Sequence, residues 1–343
     1  MNCKPLVLIA LFFVSFADAQ TQTPLLPPPD SQAAATEPAP QIEIAVLPEK
    51  ENWTALPLDK SGLNPKAFNA VLLQKSEEPD YTRELIRVEW RAGDPIELTI
   101  VRPKGVARPP VILYLYDQTS DTDRFRSDSW CKQATQGGYA AVGFVSALAG
   151  QRFHAPRPMK EWFVSDMQEA LGTSTHDVQM ILNYLAQNDT LDTHEVAMFG
   201  QGSGGSIAIL AASVDPRIVA LDLVNPWGDW PDWLKGSPQI PDIERATYLK
   251  PQFLAGVSTL DPVLYLPHLN LKALRVQQMM DDPVTPPAAR VKIAAAAPKP
   301  EDVVQYKDVV ASVKAYRMNG LSGWLRLHWQ PSPTTIVASI QGQ

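Results

Sequence analysis

Apolar and polar residues alternate along this chain in two rhythms, and the change between them outlines a fold. Ile86, Val88 and Trp90 share one face of a period-two run, and Ile96, Leu98 and Ile100 do so in the next. Ala92-Gly93-Asp94-Pro95 between them is a turn, so the two runs predict an antiparallel hairpin. After Pro109-Pro110 the alternation stops. Val111 to Leu115, Ala140 to Val145 and Val196 to Phe199 are unbroken apolar runs, as expected of strands covered on both faces. Val178, Ile181, Leu182 and Leu185 recur at helical spacing ahead of the third run, and Ile207 to Ala212 predicts a small-residue helix behind it. Leu221 to Val224, Leu274 to Gln277 and Val313 to Met318 read as further short strands. The whole predicts an α/β fold: a mostly parallel central sheet, helices on both faces and an N-terminal antiparallel hairpin.

The first part of the chain follows other rules. Lys4 precedes a nearly continuous apolar run, Pro5 to Phe16, and Ala17-Asp18-Ala19 then matches the pattern cut by signal peptidase. Residues 1–19 therefore read as a signal peptide, with Gln20 as the mature N-terminus. The apolar run is shorter than the roughly 20 residues of a membrane span. No later stretch is long and apolar enough, so the expectation is a secreted or periplasmic protein with no membrane span after cleavage. Residues 20–41, with Pro24, Pro27, Pro28, Pro29, Pro38 and Pro40 among small polar residues, read as a disordered linker with too little to bury. Residues 42–343 carry no internal repeat and are expected to form one domain.

Composition and charge narrow the classes of function. Of 343 residues 45% are hydrophobic and 20% charged, which is globular. Thirty basic residues against 37 acidic leave a net charge of −7, and no basic stripe exists that would hold nucleic acid. Cys3 lies in the signal, so Cys131 remains alone; that excludes an internal disulfide and a cysteine-based zinc site, and suggests a buried helical residue. His154, His176 and His194 are isolated and lack metal-ligand spacing. No phosphate loop or dinucleotide motif occurs, so no metal and no cofactor are expected. Asn52-Trp53-Thr54 and Asn188-Asp189-Thr190 are glycosylation sequons, of use only in a eukaryotic secretory pathway.

The most informative stretch is Asp192-Thr193-His194-Glu195-Val196-Ala197-Met198-Phe199-Gly200-Gln201-Gly202-Ser203-Gly204-Gly205. It resembles the strand, nucleophile elbow and helix of the α/β-hydrolases, where G-x-S-x-G makes a tight strand-to-helix turn. Gly138 to Val142, Asp177 to Leu185 and Leu274 to Pro286 are similar to neighbouring elements of that family in the same order. The resemblance runs from about residue 84 to 320, with the flavour of dienelactone hydrolases and prolyl-oligopeptidase-type peptidases. It implies a Ser-Asp-His triad, with the acid at Asp282 in Asp282-Pro283-Val284-Thr285-Pro286.

Three departures follow. If Gly200 is the first glycine of the motif, its nucleophile slot falls on Gly202, which has no side chain to attack a carbonyl. Ser203, one residue on, is either a displaced nucleophile or a polar residue of the first helical turn. The expected last strand ends near Met318, and the loop Asn319 to Trp324 contains no histidine. His328 in Trp324-Leu325-Arg326-Leu327-His328-Trp329 is either the base or a structural residue of a terminal helix. The place where the family feeds an N–H to its oxyanion hole holds Tyr116-Asp117-Gln118, and a backbone N–H survives any substitution.

Three functions stay open. The chain is a catalytically impaired hydrolase relative that acts by binding a partner, or an active serine hydrolase of small esters or peptides using Ser203, Asp282 and His328. A third reading is a carbohydrate or lipid binder, because Trp227, Trp230 and Trp233 are spaced to line a cleft or to pack a lid.

Overall fold

The computed structural model describes residues 51–66, 68–117, 122–147, 152, 167–187, 189–320 and 322–331. The expected signal peptide and linker, His154, Gln118 and Asn188 lie outside them. All the described residues belong to the unit Leu47–Gln343.

Nine strands form one sheet in the order β1-β2-β3-β5-β4-β6-β7-β8-β9. They are β1 (Asn69–Glu77), β2 (Tyr81–Glu89), β3 (Ile96–Pro103), β4 (Pro110–Leu115), β5 (Ala140–Phe144), β6 (Asp192–Gln201), β7 (Ile218–Val224), β8 (Ala273–Met279) and β9 (Val303–Tyr306). The first three pair antiparallel, with Val88 opposite Ile96 in the expected hairpin, and β3 joins β5 antiparallel. From β5 to β9 every pairing is parallel. The helices are α1 (Asp128–Ala134), α2 (Met167–Ala186), α3 (Ser203–Ala212), α4 (Trp230–Gly236), α5 (Asp242–Tyr248), α6 (Pro251–Ser258), α7 (Pro262–Tyr265), α8 (Pro287–Ala296), α9 (Val309–Asn319) and α10 (Gly323–His328).

The unbroken apolar runs are explained by two cores. Val111, Leu113 and Leu115 of β4 join Val178, Ile181, Leu182 and Leu185 of α2 and Ile207 of α3 in one. Ile112 and Tyr114 join Cys131 of α1 and Leu325 of α10 in the other. Each such fully buried aliphatic side chain contributes roughly 1.5–3 kcal/mol relative to exposure.

Two expectations fail. Val313 to Met318 belongs to helix α9, and the last strand among the described residues is β9, ten residues earlier. Val309, Val310 and Val313 of this helix are exposed, and the Asp308 carboxylate accepts the Ala311 N–H at 2.8 Å as a helix cap does. Strand β1 has no counterpart in the sequence reading. Nearly all its side chains are exposed, so no burial imposed an apolar alternation on it.

A cluster of buried charge ties α2 to the hairpin turn. Asp177 is fully buried and binds Arg91, Arg152 at 2.5 Å and Trp90 Nε1 at 3.1 Å. Arg91 also holds Glu51, which lies 2.6 Å from His176 Nδ1. Gln179 and His176 grip the backbone of Leu56 and Ala55, laying residues 51–61 along α2.

Candidate functional site

The turn from β6 to α3 is built by glycines for steric reasons. A Cβ on Gly200 would lie 2.7 Å from Gly205 Cα, and one on Gly204 only 2.2 Å from the Leu115 carbonyl oxygen. These approaches bring the start of α3 over the end of β4, which pairs Leu115 with Gly200. Gly202 sits at the tip with φ 55° and ψ −122°, a backbone that residues with a Cβ rarely adopt. Its N–H donates to Val224 O at 2.9 Å, and its carbonyl accepts the Gly205 N–H at 3.0 Å. The strained tip is therefore Gly202, and Ser203 is the first residue of the helix.

The space beside Gly202 is filled by Asp117. A Cβ on Gly202 would stand 2.6 Å from Asp117 Cγ and 2.7 Å from each carboxylate oxygen. Ser203 Oγ donates to Asp117 Oδ1 at 3.2 Å, and the Ser203 N–H points at the same oxygen at 3.5 Å. Ser203 is fully buried and Asp117 is half-buried. The loop after β4, expected to lend a backbone N–H, brings a carboxylate to the elbow. Sequence reasoning passed over Asp117 as a contributor. A signal existed: a glycine at the tip leaves a hole, and an acidic residue two positions past the neighbouring strand can fill it.

The other triad candidates have partners elsewhere. Asp282 Oδ1 accepts the Val284 N–H at 3.2 Å and Oδ2 the Thr285 N–H at 3.0 Å, so its carboxylate caps the turn leading into α8. His328 is exposed on α10, stacked on Trp324 at 4.5 Å, with Nδ1 2.8 Å from the Trp324 carbonyl. With the last strand corrected to β9, the turn that follows it is Lys307-Asp308, again without a histidine. Among the described residues no hydrogen bond joins Ser203, Asp282 and His328, and no group of His, Cys, Asp and Glu could hold a metal ion.

The tryptophans behind the elbow are core. Trp227, Trp230 and Trp233 are at most 2% exposed; Trp227 lies tilted against Trp233 at 4.9 Å, and Trp230 meets it edge to face at 5.9 Å. Trp230 Nε1 donates to Leu260 O at 3.0 Å, and Asp261 accepts the Asp229 and Trp230 N–H groups at 2.8 and 3.0 Å. Of the two roles the spacing allowed, lining a cleft or packing, the burial of all three matches packing. Ser206 Oγ donates to Trp227 O at 2.8 Å, fastening this cluster to α3. No described helix is long and apolar enough to cross a membrane.

No family model matches the chain, and no curated protein matches it in sequence. Solved structures do match. An acetyl xylan esterase from a Paenibacillus species superposes with a TM-score of 0.57 at 17% identity, over 78% of this chain and 90% of that one. Acetyl xylan esterase 1 from a Thermoanaerobacterium species gives 0.58 at 15% identity, over 75% and 86%. A cold-adapted esterase from an Arctic intertidal metagenomic library gives 0.51 at 12% identity, over 77% and 100%. At such identities the likeness speaks for the fold alone. That fold, with its mixed nine-stranded sheet, is the α/β-hydrolase fold.

Proposed function

We propose that this chain, an α/β-hydrolase by fold, is an exported protein that has lost serine-hydrolase chemistry and acts by binding. The observation that carries the reading is Gly202, which has the strained backbone of the elbow tip and no side chain to attack with. Two further features support it. The turn after β9 is Lys307-Asp308, so the position where the fold family keeps its base offers no imidazole. Ser203 is fully buried with its hydroxyl on a carboxylate. Losing triad members costs about 10⁴ to 10⁶ in rate, which leaves residual catalysis only. Export rests on the Lys4 to Ala19 pattern, with residues 20–41 as linker and 42–343 as the working domain.

A second reading is favoured by one observation. Asp117 lies 3.2 Å from Ser203 Oγ and is placed to accept its proton, which would make Ser203 the nucleophile of an active hydrolase. The solved neighbours are named as esterases, so a small ester is the first ligand class to try under either reading.

The test is fluorophosphonate labelling of the purified mature chain, wild type beside Ser203→Ala. The expected result is no labelling of folded wild type. Labelling that disappears in Ser203→Ala would overturn the loss of chemistry and establish the second reading.

A further inference from the structure

We propose that Asp117 is an internal occupant of the elbow, its carboxylate standing where a reaction's oxyanion would otherwise be held. The inference rests on the reading of the elbow as a former catalytic centre and says what closed it. Three observations converge. The carboxylate lies so near Gly202 that any side chain at the tip would meet it, at 2.6 Å for Cβ to Asp117 Cγ. The N–H and the hydroxyl of Ser203, at the first position of a ten-residue helix, both turn to one oxygen of that carboxylate. The backbone carrying Asp117 is also pinned, because Leu115 two residues earlier pairs with Gly200 and packs under Gly204.

The physical consequence is mutual exclusion. N–H groups at a helix start favour a negative charge, and here the charge is built in. An incoming oxyanion must displace a carboxylate or share donors with it against like-charge repulsion. Position 202 is bound to the same arrangement: a serine there meets Asp117 before it meets a substrate. Gly202 and Asp117 are therefore one device. Restoring a side chain at 202 requires the Asp117 carboxylate to swing out of the elbow or a smaller residue at 117.

Two experiments on the full mature chain test this. The first measures the thermal midpoint against increasing inorganic phosphate for wild type and Asp117→Gly, since a ligand of the folded state raises the midpoint by mass action. A larger rise in Asp117→Gly is expected, because removing the carboxylate frees the position for an anion; equal rises overturn the proposal. The second introduces Gly202→Ala into both backgrounds. A loss of midpoint at least halved in the Asp117→Gly background is expected; the same loss in both overturns the proposal. The phosphate comparison needs no change at 202, so it stands even if Gly202→Ala fails to fold. The two readings fail separately. Fluorophosphonate labelling of wild type overturns the loss of chemistry, whereas equal phosphate shifts overturn only the occupancy by Asp117.

Discussion

The elbow around Gly202 and the charge cluster around Asp177 each hold a carboxylate, by opposite means. At the elbow, Asp117 is half-buried and receives a hydroxyl and a distant N–H from Ser203. In the cluster, Asp177 is fully buried and receives two guanidinium groups and an indole N–H. Burial alone would raise the Asp177 carboxyl, but Arg152 and Arg91 beside it hold it below the ordinary aspartate range. Glu51 behaves alike: burial opposes its charge, and Arg91 and His176 overcome that. Perturbed groups in folded proteins often mark functional sites. In this chain a strongly paired buried network instead joins residues 51–61, the hairpin turn and α2, so it serves the architecture.

The comparison can be broken most severely at Asp177. Asp177→Ala leaves Arg91 and Arg152 buried with a partner missing, and is expected to cost about 3–5 kcal/mol in urea unfolding. A loss below about 1 kcal/mol would show that the cluster is relaxed by water and is not a structural tie.

Acid titration sharpens the contrast. Because the folded pKa of Asp177 and Glu51 lies below the unfolded value, their stabilisation is present above about pH 4 and is lost as pH falls through the folded values. Asp222 acts in the other direction. Burial raises its carboxyl despite Arg275 Nη2 at 2.6 Å, so its contribution is full at low pH and is lost as pH rises through the raised value. Two arginines outweigh desolvation where one does not. The midpoint of thermal unfolding, followed from pH 7 to pH 3, should fall, and Asp177→Asn should flatten that fall. An unchanged acid slope in Asp177→Asn would remove Asp177 from the account.

The smallest effect is expected at the elbow itself. Ser203→Ala removes one hydroxyl-to-carboxylate bond and should cost about 1 kcal/mol, read as a small shift in the urea midpoint. A cost above about 3 kcal/mol would mean that Asp117 depends on Ser203 far more than its half-buried position implies.

Much of the parallel sheet was legible because burial on two faces leaves continuous apolar runs such as Val111 to Leu115. The hairpin was legible because burial on one face leaves alternation. The edges were not. Strand β1 is exposed on both faces and β9 is only four residues long, so neither carries a burial pattern. Helix α9 was misread at Val313 to Met318 because the helix lies at the surface, with Val313 exposed, where side-chain type says little about backbone. At the elbow, the glycine spacing and the absence of a histidine could be read directly, since the turn is a local structure set by consecutive residues.

By itself, then, the amino-acid order determined the local rules of this protein: strand and helix periods, the glycine-built elbow, a glycine at its tip and the lack of a histidine between His268 and His328. What fills the elbow was decided only by the tertiary structure. Asp117 and Gly202 are 85 positions apart and meet because β4 and β6 are neighbours in the sheet. The same holds for Asp177 with Arg91, and for the three tryptophans, whose spacing fits a cleft as well as a core. Periodicity states which side chains must be buried, but contacts across the sheet decide what they are buried against.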